Sequence, residues 1–169
     1  VLKIEGRARG PEYVRTVIEC YREAVEAYCS KSFTEDKIKD WDERLTTVFN
    51  RGFWDGYYLG QRLGEWSSNY GSGSTKRKVY VGKGLKYFSN IKVAEFLLEA
   101  QTLEKGDEIL ITGPTTGAIY HTLDEMHVDY KVTDKVNKGE TFSFKFEDKI
   151  RPGDKLYKIC LLYTSDAAD

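Results

Sequence analysis

The residues best placed for chemistry lie at the beginning of the chain, where charged side chains alternate with apolar ones. Glu5 and Arg7 follow Leu2 and Ile4 and flank Gly6. A guanidinium binds a carboxylate or a phosphate through two parallel hydrogen bonds, and a neighbouring carboxylate can orient it. The pattern therefore predicts an anion clamp in which Arg7 binds the ligand and Glu5 orients Arg7, with Lys3 and Arg9 as further candidate cations.

A structural role is the alternative for Glu5 and Arg7. If residues 2–5 form the last strand of a barrel, an ion pair between the two side chains would close the rim of that barrel and bind no ligand. Arg51 is the third candidate binding residue, because the glycine-rich loop that holds it can reach the same barrel mouth. A cation and the preceding Asn50 are also favoured at a helix C-terminus, so a local role for Arg51 stays open.

Other chemical signals in the chain are weaker. Residues 113–117 (GPTTG) lack the lysine and the following helix of a phosphate-binding loop, and a hairpin turn is predicted there. No serine or cysteine nucleophile is identifiable beside His121 or His127, so a catalytic triad is not predicted. Four aromatic residues can stack nucleobases or pack between domains: Tyr57, Tyr58, Trp66 and Tyr70.

The three cysteines match no zinc or thioredoxin-like spacing. Cys20 and Cys29 are nine residues apart, which places them on opposite faces if they share one helix. Together with Cys160 they are predicted to be reduced packing residues, and no metal site or cofactor is predicted in this chain.

The elements that must position Glu5 and Arg7 are a strand and two helices. Pro11 is typical of a first helical residue, and apolar residues then recur every three or four positions to residue 28. Thr34, followed by two acidic residues, predicts the start of a second amphipathic helix. A lone strand at residues 2–5 needs neighbours, so we expect them upstream and expect the chain to be the C-terminal part of a longer enzyme.

The second half of the chain has the alternating pattern of short strands. A polar stretch rich in glycine and serine precedes them and predicts a linker at residues 67–76. Gly106-Asp107 and Gly153-Asp154 indicate a repeated turn rather than a site. A small closed barrel or a sandwich is expected from the predicted strands, which are residues 79–88, 91–100, 108–112, 118–122, 127–132, 141–146 and 155–162.

Composition limits the function classes. The 169 residues are 40% hydrophobic with a net charge of −1, and acidic and basic residues are interleaved, so no basic face indicates nucleic acid or an anionic membrane. No run of about 20 apolar residues and no secretory pattern is present, which favours a cytoplasmic protein without membrane contact. The predicted organisation is a first domain at residues 1–66, the linker, a β-domain at 77–163 and a tail at 164–169.

Several segments in a fixed order carry a family resemblance. They are KIEGR at residues 3–7, then PEYV, YREAVEAY and FNRGFWDGYYLG, and after the linker VGKGLKYFSNIKVAEFLLEA, GDEILITGPTTGAI and RPGDKLYKI. This succession resembles the collagenase-like peptidase family U-32 over about residues 1–160. The first group is similar to the end of the family's catalytic domain, and the second group is similar to its C-terminal β-domain.

The resemblance implies an α+β fragment in two parts. The terminal strand and helices of a (β/α) barrel, residues 2–5 and 11–28 among them, would precede a small all-β barrel similar to domain two of translation elongation factors. Glu5 and Arg7 would lie at the barrel mouth. The cysteines that hold an iron–sulfur cluster in relatives lie upstream of KIEGR, so the full-length parent rather than this chain would bind it.

The resemblance also implies two functions. The chain would be part of a U-32 peptidase, inactive by itself, or part of a protein that supports tRNA (uridine) hydroxylation, with the β-barrel as a module that binds RNA or protein. The partners expected are the N-terminal barrel of the parent and that RNA or protein ligand. Apolar helix residues that the missing barrel would cover also predict self-association.

Overall fold

The computed structural model describes residues 2–50, 52–53 and 73–162, and the chain divides into two compact units. Unit 1 comprises Val1–Lys76 with Leu162–Asp169, and unit 2 comprises Arg77–Leu161. The helices belong to unit 1 and the sheet belongs to unit 2. In the part of the chain that the structure describes, no helix is both long and apolar enough to cross a membrane.

Two helices form unit 1, and both begin where the sequence predicts. Helix α1 is Pro11–Cys29, with Gly10 as its N-cap and Pro11 in the first turn. Helix α2 is Glu35–Thr46, and the Thr34 side chain caps it by accepting the backbone N–H of Lys37. The strand predicted at residues 2–5 is wrong, because that segment has no regular secondary structure. A strand needs a hydrogen-bonded neighbour, and none pairs with it among the described residues.

The two helices pack through a small apolar core tied to an ionic network. Cys20 and Ala27 of α1 and Trp41 of α2 are buried together. Glu23 accepts a hydrogen bond from Trp41 Nε1 at 2.9 Å, and its carboxylate lies 2.6 Å from a guanidinium nitrogen of Arg44. The hydrogen bond from Arg44 lowers the pKa of Glu23, and burial raises the pKa of the Cys20 thiol. This network fixes the face on which α2 meets α1.

Unit 2 is built on one sheet of eight strands, with a second sheet of two short strands. The order in the large sheet is β5-β4-β10-β1-β2-β9-β6-β7, and every pairing whose register is described is antiparallel. The small sheet pairs β3 with β8. The strands are β1 Lys76–Phe88, β2 Val93–Leu98, β3 Leu103–Glu104, β4 Glu108–Gly113, β5 Gly117–Thr122, β6 Met126–Val128, β7 Lys131–Thr133, β8 Lys135–Val136, β9 Thr141–Lys145 and β10 Lys155–Leu161.

The predicted closed barrel is corrected to an open, curled sheet. β5 and β7 are its edges, and no ladder joins them among the described strands. The curl is strong nevertheless, because His121 of β5 stacks on Phe144 of β9 with ring centroids 5.3 Å apart, although four strands separate β5 from β9. A bulge between Gly84 and Lys86 of β1 supplies part of this bend. Side chains therefore close the interior where backbone hydrogen bonds do not.

One apolar core fills the inside of the curled sheet. Its centre is a group of phenylalanines, in which Phe96 stacks on Phe144 at 5.5 Å and packs against Phe142 at 6.1 Å. These side chains alternate with outward residues along β2 and β9, as a sheet with one buried face requires. The expectation of alternating short strands is confirmed in this part of the chain.

The same four-residue turn occurs three times in unit 2, at residues 104–107, 137–140 and 151–154. In each, the carboxylate of the fourth residue accepts the backbone N–H of the first, at 2.8, 2.6 and 2.8 Å. The third residue is a glycine with φ between +89° and +93°, a region that disfavours other residues. The repeated Gly-Asp turn is confirmed at two positions, and the third copy ends in Glu140.

Individual strands differ from the prediction in instructive places. The GPTTG hairpin is confirmed, since Gly113 pairs with Gly117 at the end of β4 and β5. The single strand predicted at residues 127–132 is wrong: it is a hairpin, in which Val128 pairs with Lys131 across Asp129 and Tyr130. Both loop residues have positive φ. Such a loop usually contains glycine, and because neither residue is glycine the sequence does not indicate the turn.

Candidate functional site

The predicted site residues of unit 1 line a cavity of about 830 Å³. Glu5 and Arg7 contribute to its wall, together with residues of α1 and the segment that follows α2. The structure therefore brings these two residues to one concave surface. Arg51 lies outside the described residues, although its neighbours Asn50 and Gly52 line the cavity.

Glu5 and Arg7 are joined through the backbone rather than through their charges. The Glu5 carboxylate accepts the backbone N–H of Arg7 at 3.0 Å, and the N–H of Arg9 donates to the carbonyl of Gly6 at 3.0 Å. These bonds fold residues 5–9 into a tight turn at the cavity wall. No ion pair within 4.0 Å joins the Glu5 carboxylate to the Arg7 guanidinium, although the structure describes both residues.

Arg9 has a partner that the sequence did not indicate. Its guanidinium carbon lies 3.6 Å from the centroid of the Phe49 ring, which follows the end of α2. A cation over an aromatic face is attracted by the electron density of that face, and the contact orients the guanidinium. The pair thus ties the turn at residues 5–9 to the segment after α2, and spacing in the sequence cannot reveal it because about forty residues separate the two.

Asn50 has a local role at the C-terminus of α2, which was the alternative to ligand binding for Asn50 and Arg51. Its amide donates to the carbonyls of Thr46 and Val48 at 3.3 and 3.0 Å, which satisfies acceptors at the end of α2. Its side-chain oxygen accepts the N–H of Gly52 at 3.3 Å. Asn50 therefore shapes the loop that holds Arg51, and its own amide is used within that loop.

The charge distribution of the cavity determines what it can hold. Among the described residues of the wall, Lys3, Arg7 and Arg9 are cations and Glu5 is the carboxylate. The remaining lining is mostly apolar and aromatic, with Tyr13 and Tyr21 presented by α1. An anionic group beside an apolar body fits such a surface, because cations neutralise the first and the apolar wall buries the second.

The cysteines do not fit an iron–sulfur cluster, which needs thiolates that converge. Cys20 is buried and Cys29 is exposed, as expected for opposite faces of α1, and Cys160 belongs to unit 2. Over the described residues, no three His, Cys, Asp or Glu side chains are grouped as metal ligands. No chemical step is therefore assigned to a cluster on this chain.

The histidines are in unit 2 and lack a nucleophile. His121 stacks on Phe144 and meets Phe146 edge-on, and burial lowers its pKa. His127 lies with its Nε2 atom 3.6 Å from the Glu125 carboxylate. Neither makes a hydrogen bond to a serine or cysteine side chain of the described chain, so the structure does not bring a triad together here.

Comparisons with known proteins give the chain its relatives. Residues 1–68 match the model of peptidase family U32. A collagenase of Porphyromonas gingivalis is 60% identical over 158 residues, which are 94% of this chain and 38% of the relative. A tRNA hydroxylation protein P1 of Bacillus subtilis is 30% identical over 167 residues, covering 93% of this chain and 37% of that protein. The chain therefore spans less than half the length of these relatives.

A solved structure is also similar. It is the C-terminal domain of a Geobacillus thermoleovorans protein assigned to the U32 peptidases, with a TM-score of 0.44 and 17% identity. The match covers 47% of this chain and 90% of that domain.

Proposed function

Because the chain belongs to peptidase family U32, we propose that it is the C-terminal part of a collagenase-like peptidase whose remaining residues lie upstream. The observation that carries this proposal is the 60% identity to a collagenase over 158 residues. Peptide-bond hydrolysis is accordingly the proposed reaction of the full-length parent. The residues that perform the hydrolysis are not assigned to this chain.

The contribution of this chain is substrate binding at the cavity of unit 1. Arg7 is proposed to bind a carboxylate of the peptide substrate, while Glu5 holds the turn that presents Arg7 through its bond to the Arg7 N–H. Arg51 is proposed to reach the same cavity, because Asn50 and Gly52 on either side of it line the wall. The apolar lining would bury the side chain next to the bound carboxylate.

The chain is proposed to have no peptidase activity and no iron–sulfur cluster by itself. Its cysteines do not converge, and any cluster of the parent would use cysteines upstream. The upstream barrel is the proposed partner of α1, where Ile18, Tyr21 and Val25 are exposed apolar residues. Without that barrel the chain is expected to self-associate, and the cytoplasm is its proposed location.

A second function is favoured by the relative that is named as a tRNA hydroxylation protein and is 30% identical over 167 residues. Under this alternative the anion bound by Arg7 is a phosphate of RNA, which a guanidinium binds as well as it binds a carboxylate. Unit 2 would then be the module that holds RNA or a protein partner. The cavity geometry serves both alternatives, so the ligand must decide between them.

The test uses the full-length parent with Glu5→Ala and Arg7→Ala, and with Arg22→Ala as a matched control on an exposed face of α1. Gelatin cleavage and tRNA hydroxylation in a deletion strain are measured for each variant, together with the melting temperature. We expect the Arg7→Ala variant to lose at least tenfold in one of the two activities, with little change in melting temperature, and the control to resemble the parent.

The result also distinguishes binding from a structural role. Loss of gelatin cleavage supports the peptidase, and loss of hydroxylation alone supports the RNA function. If Glu5→Ala and Arg7→Ala both lower the melting temperature while turnover per folded molecule is unchanged, the two residues belong to the scaffold and the proposed site is wrong.

A further inference from the structure

Two neighbouring cavities of unit 2 are lined by residues that the proposed function does not use. The first, of about 480 Å³, lies between the tip of the β1–β2 hairpin and the tip of the β6–β7 hairpin. The second, of about 470 Å³, lies where β5 approaches the end of β9. Glu125 and Lys145 line both, so the two cavities are adjacent, and together they are here called the β-groove.

The rim of the β-groove carries exposed apolar side chains. Ile91 at the first hairpin tip is 62% exposed, and Tyr130 at the second is fully exposed. Phe88 and Val93 line the floor between them. Large apolar residues at two facing tips, above an apolar floor, are typical of a surface that binds a partner side chain.

Tyr130 also costs the fold stability without a compensating contact. It has φ +64° beside Asp129 at +48°, in a two-residue hairpin loop for which glycine is preferred at this position. Its side chain makes no contact that could offset this cost, since it is fully exposed. A bulky residue in that conformation is better explained by what it binds than by how it packs.

The charges of the β-groove select the class of partner. Six carboxylates line it: Glu95, Asp124, Glu125, Asp129, Glu147 and Asp148. Lys145 also lines it, Lys92 is paired with Glu147, and Lys86 Nζ lies 4.8 Å from the centroid of the Phe88 ring, so these cations offset part of the negative charge and carboxylates remain in excess. The whole chain is nearly neutral, with a net charge of −1, so the acidity is local. Carboxylates repel the phosphates of a nucleic acid and attract the side chains of arginine and lysine.

We propose that the β-groove is a docking site for an extended, basic peptide segment, with an apolar side chain of that peptide held between Ile91 and Tyr130. An extended segment suits this site, because the two cavities share Glu125 and Lys145 and a peptide that occupies both must pass these residues. This binding does not depend on the cavity of unit 1 or on the proposed reaction. It gives unit 2 a protein ligand rather than an RNA ligand.

In the test, the full chain is titrated into a fluorescein-labelled ten-residue peptide of arginine, proline and leucine, and the fluorescence anisotropy of the peptide is measured. We expect a dissociation constant in the micromolar range that weakens as salt is raised. A peptide with glutamate in place of arginine and a ten-nucleotide polyuridine strand, both labelled, are expected to bind at least tenfold more weakly.

Two variants locate the binding. The Tyr130→Gly substitution should weaken binding of the arginine peptide at least tenfold. The melting temperature should stay the same or rise, because glycine adopts the positive φ of this loop without strain. The paired substitutions Glu125→Gln and Asp129→Asn should reduce the salt dependence. Tyr28→Ala removes an exposed tyrosine of α1 as the matched control and should change nothing.

Any of three differences from these expectations would overturn the proposal, and so would a complete absence of binding. They are equal binding of the acidic peptide, tighter binding of polyuridine than of the arginine peptide, and unchanged binding by the Tyr130→Gly variant. Absence of any peptide binding below about 1 mM would do so as well.

Discussion

Removing the carboxylate from each of the three equivalent turns of unit 2 should destabilise the protein in the order of their burial. The substitutions are Asp154→Ala, Asp107→Ala and Glu140→Ala. Each leaves the turn glycine in place and removes the acceptor of one backbone N–H. The backbone geometry is therefore constant, and the three carboxylates differ in their exposure and in the additional side chains that they bind.

The magnitudes follow from the contacts. Asp154 is 3% exposed and accepts the N–H of Arg151 at 2.8 Å and the hydroxyl of Thr116 at 2.6 Å. Its loss leaves the Arg151 N–H and the Thr116 hydroxyl, which form part-buried bonds, without their acceptor, at about 1.5 kcal/mol each or at most about 3 kcal/mol of unfolding free energy. Water reaches the other two sites more readily, so we expect about 2 kcal/mol for Asp107, which also binds Lys158 Nζ at 2.6 Å, and under about 1 kcal/mol for Glu140.

The assay is thermal unfolding followed by the circular dichroism of the sheet. For a unit of this size, 1 kcal/mol shifts the melting temperature by roughly 4–8 °C, so Asp154→Ala should lower it by roughly 12–24 °C. Adding Thr116→Val to Asp154→Ala removes one of the two unsatisfied donors and should recover part of the loss. Equal losses for Glu140→Ala and Asp154→Ala would show that burial does not set the strength of this turn.

Two further predictions concern pH. The hydrogen bond from Arg44 lowers the pKa of Glu23, so its contribution to helix packing is present above the usual carboxyl range of about 4.3 and is lost as the pH falls through the lowered value. In the Glu23→Gln variant, helical ellipticity measured by circular dichroism should therefore fall less steeply as the pH is lowered. An unchanged dependence on pH would contradict this. Burial lowers the pKa of His121, so the unfolded chain binds that proton more tightly and unit 2 should lose stability as the pH falls below about 6.5. In the His121→Phe variant, the midpoint of urea unfolding should no longer fall as the pH is lowered through this range. If it still falls, another group is responsible.

The helices were predictable because the signals that start them are local. Pro11 and Thr34 act within one turn of their own position, and the structure begins α1 and α2 there. Whether residues 2–5 form a strand was not predictable from the sequence. Alternation indicates which side chains suit a strand, but it does not indicate whether a neighbouring strand exists to pair with it. Strands β3 and β8 are two residues each and carry no periodicity to detect.

Closure of the sheet depends on registers between residues distant in sequence, which composition and turn signals do not encode. The bulge at Gly84 and Lys86 and the stacking of His121 on Phe144 are examples. The candidate site shows the same division. Glu5 and Arg7 are close in sequence and line one cavity, but the position of Phe49 under Arg9 follows from the packing of the whole unit.

An open sheet leaves strand edges at which two molecules can join, and the short strand β7 limits this hazard at one end. It has three residues, Lys131–Thr133, and begins with a lysine directly after the tight loop at Tyr130. A second molecule that added a strand there would gain few backbone hydrogen bonds and would have to accommodate a charged side chain. Fibrillar growth from this edge is therefore discouraged by the same hairpin whose tip borders the β-groove.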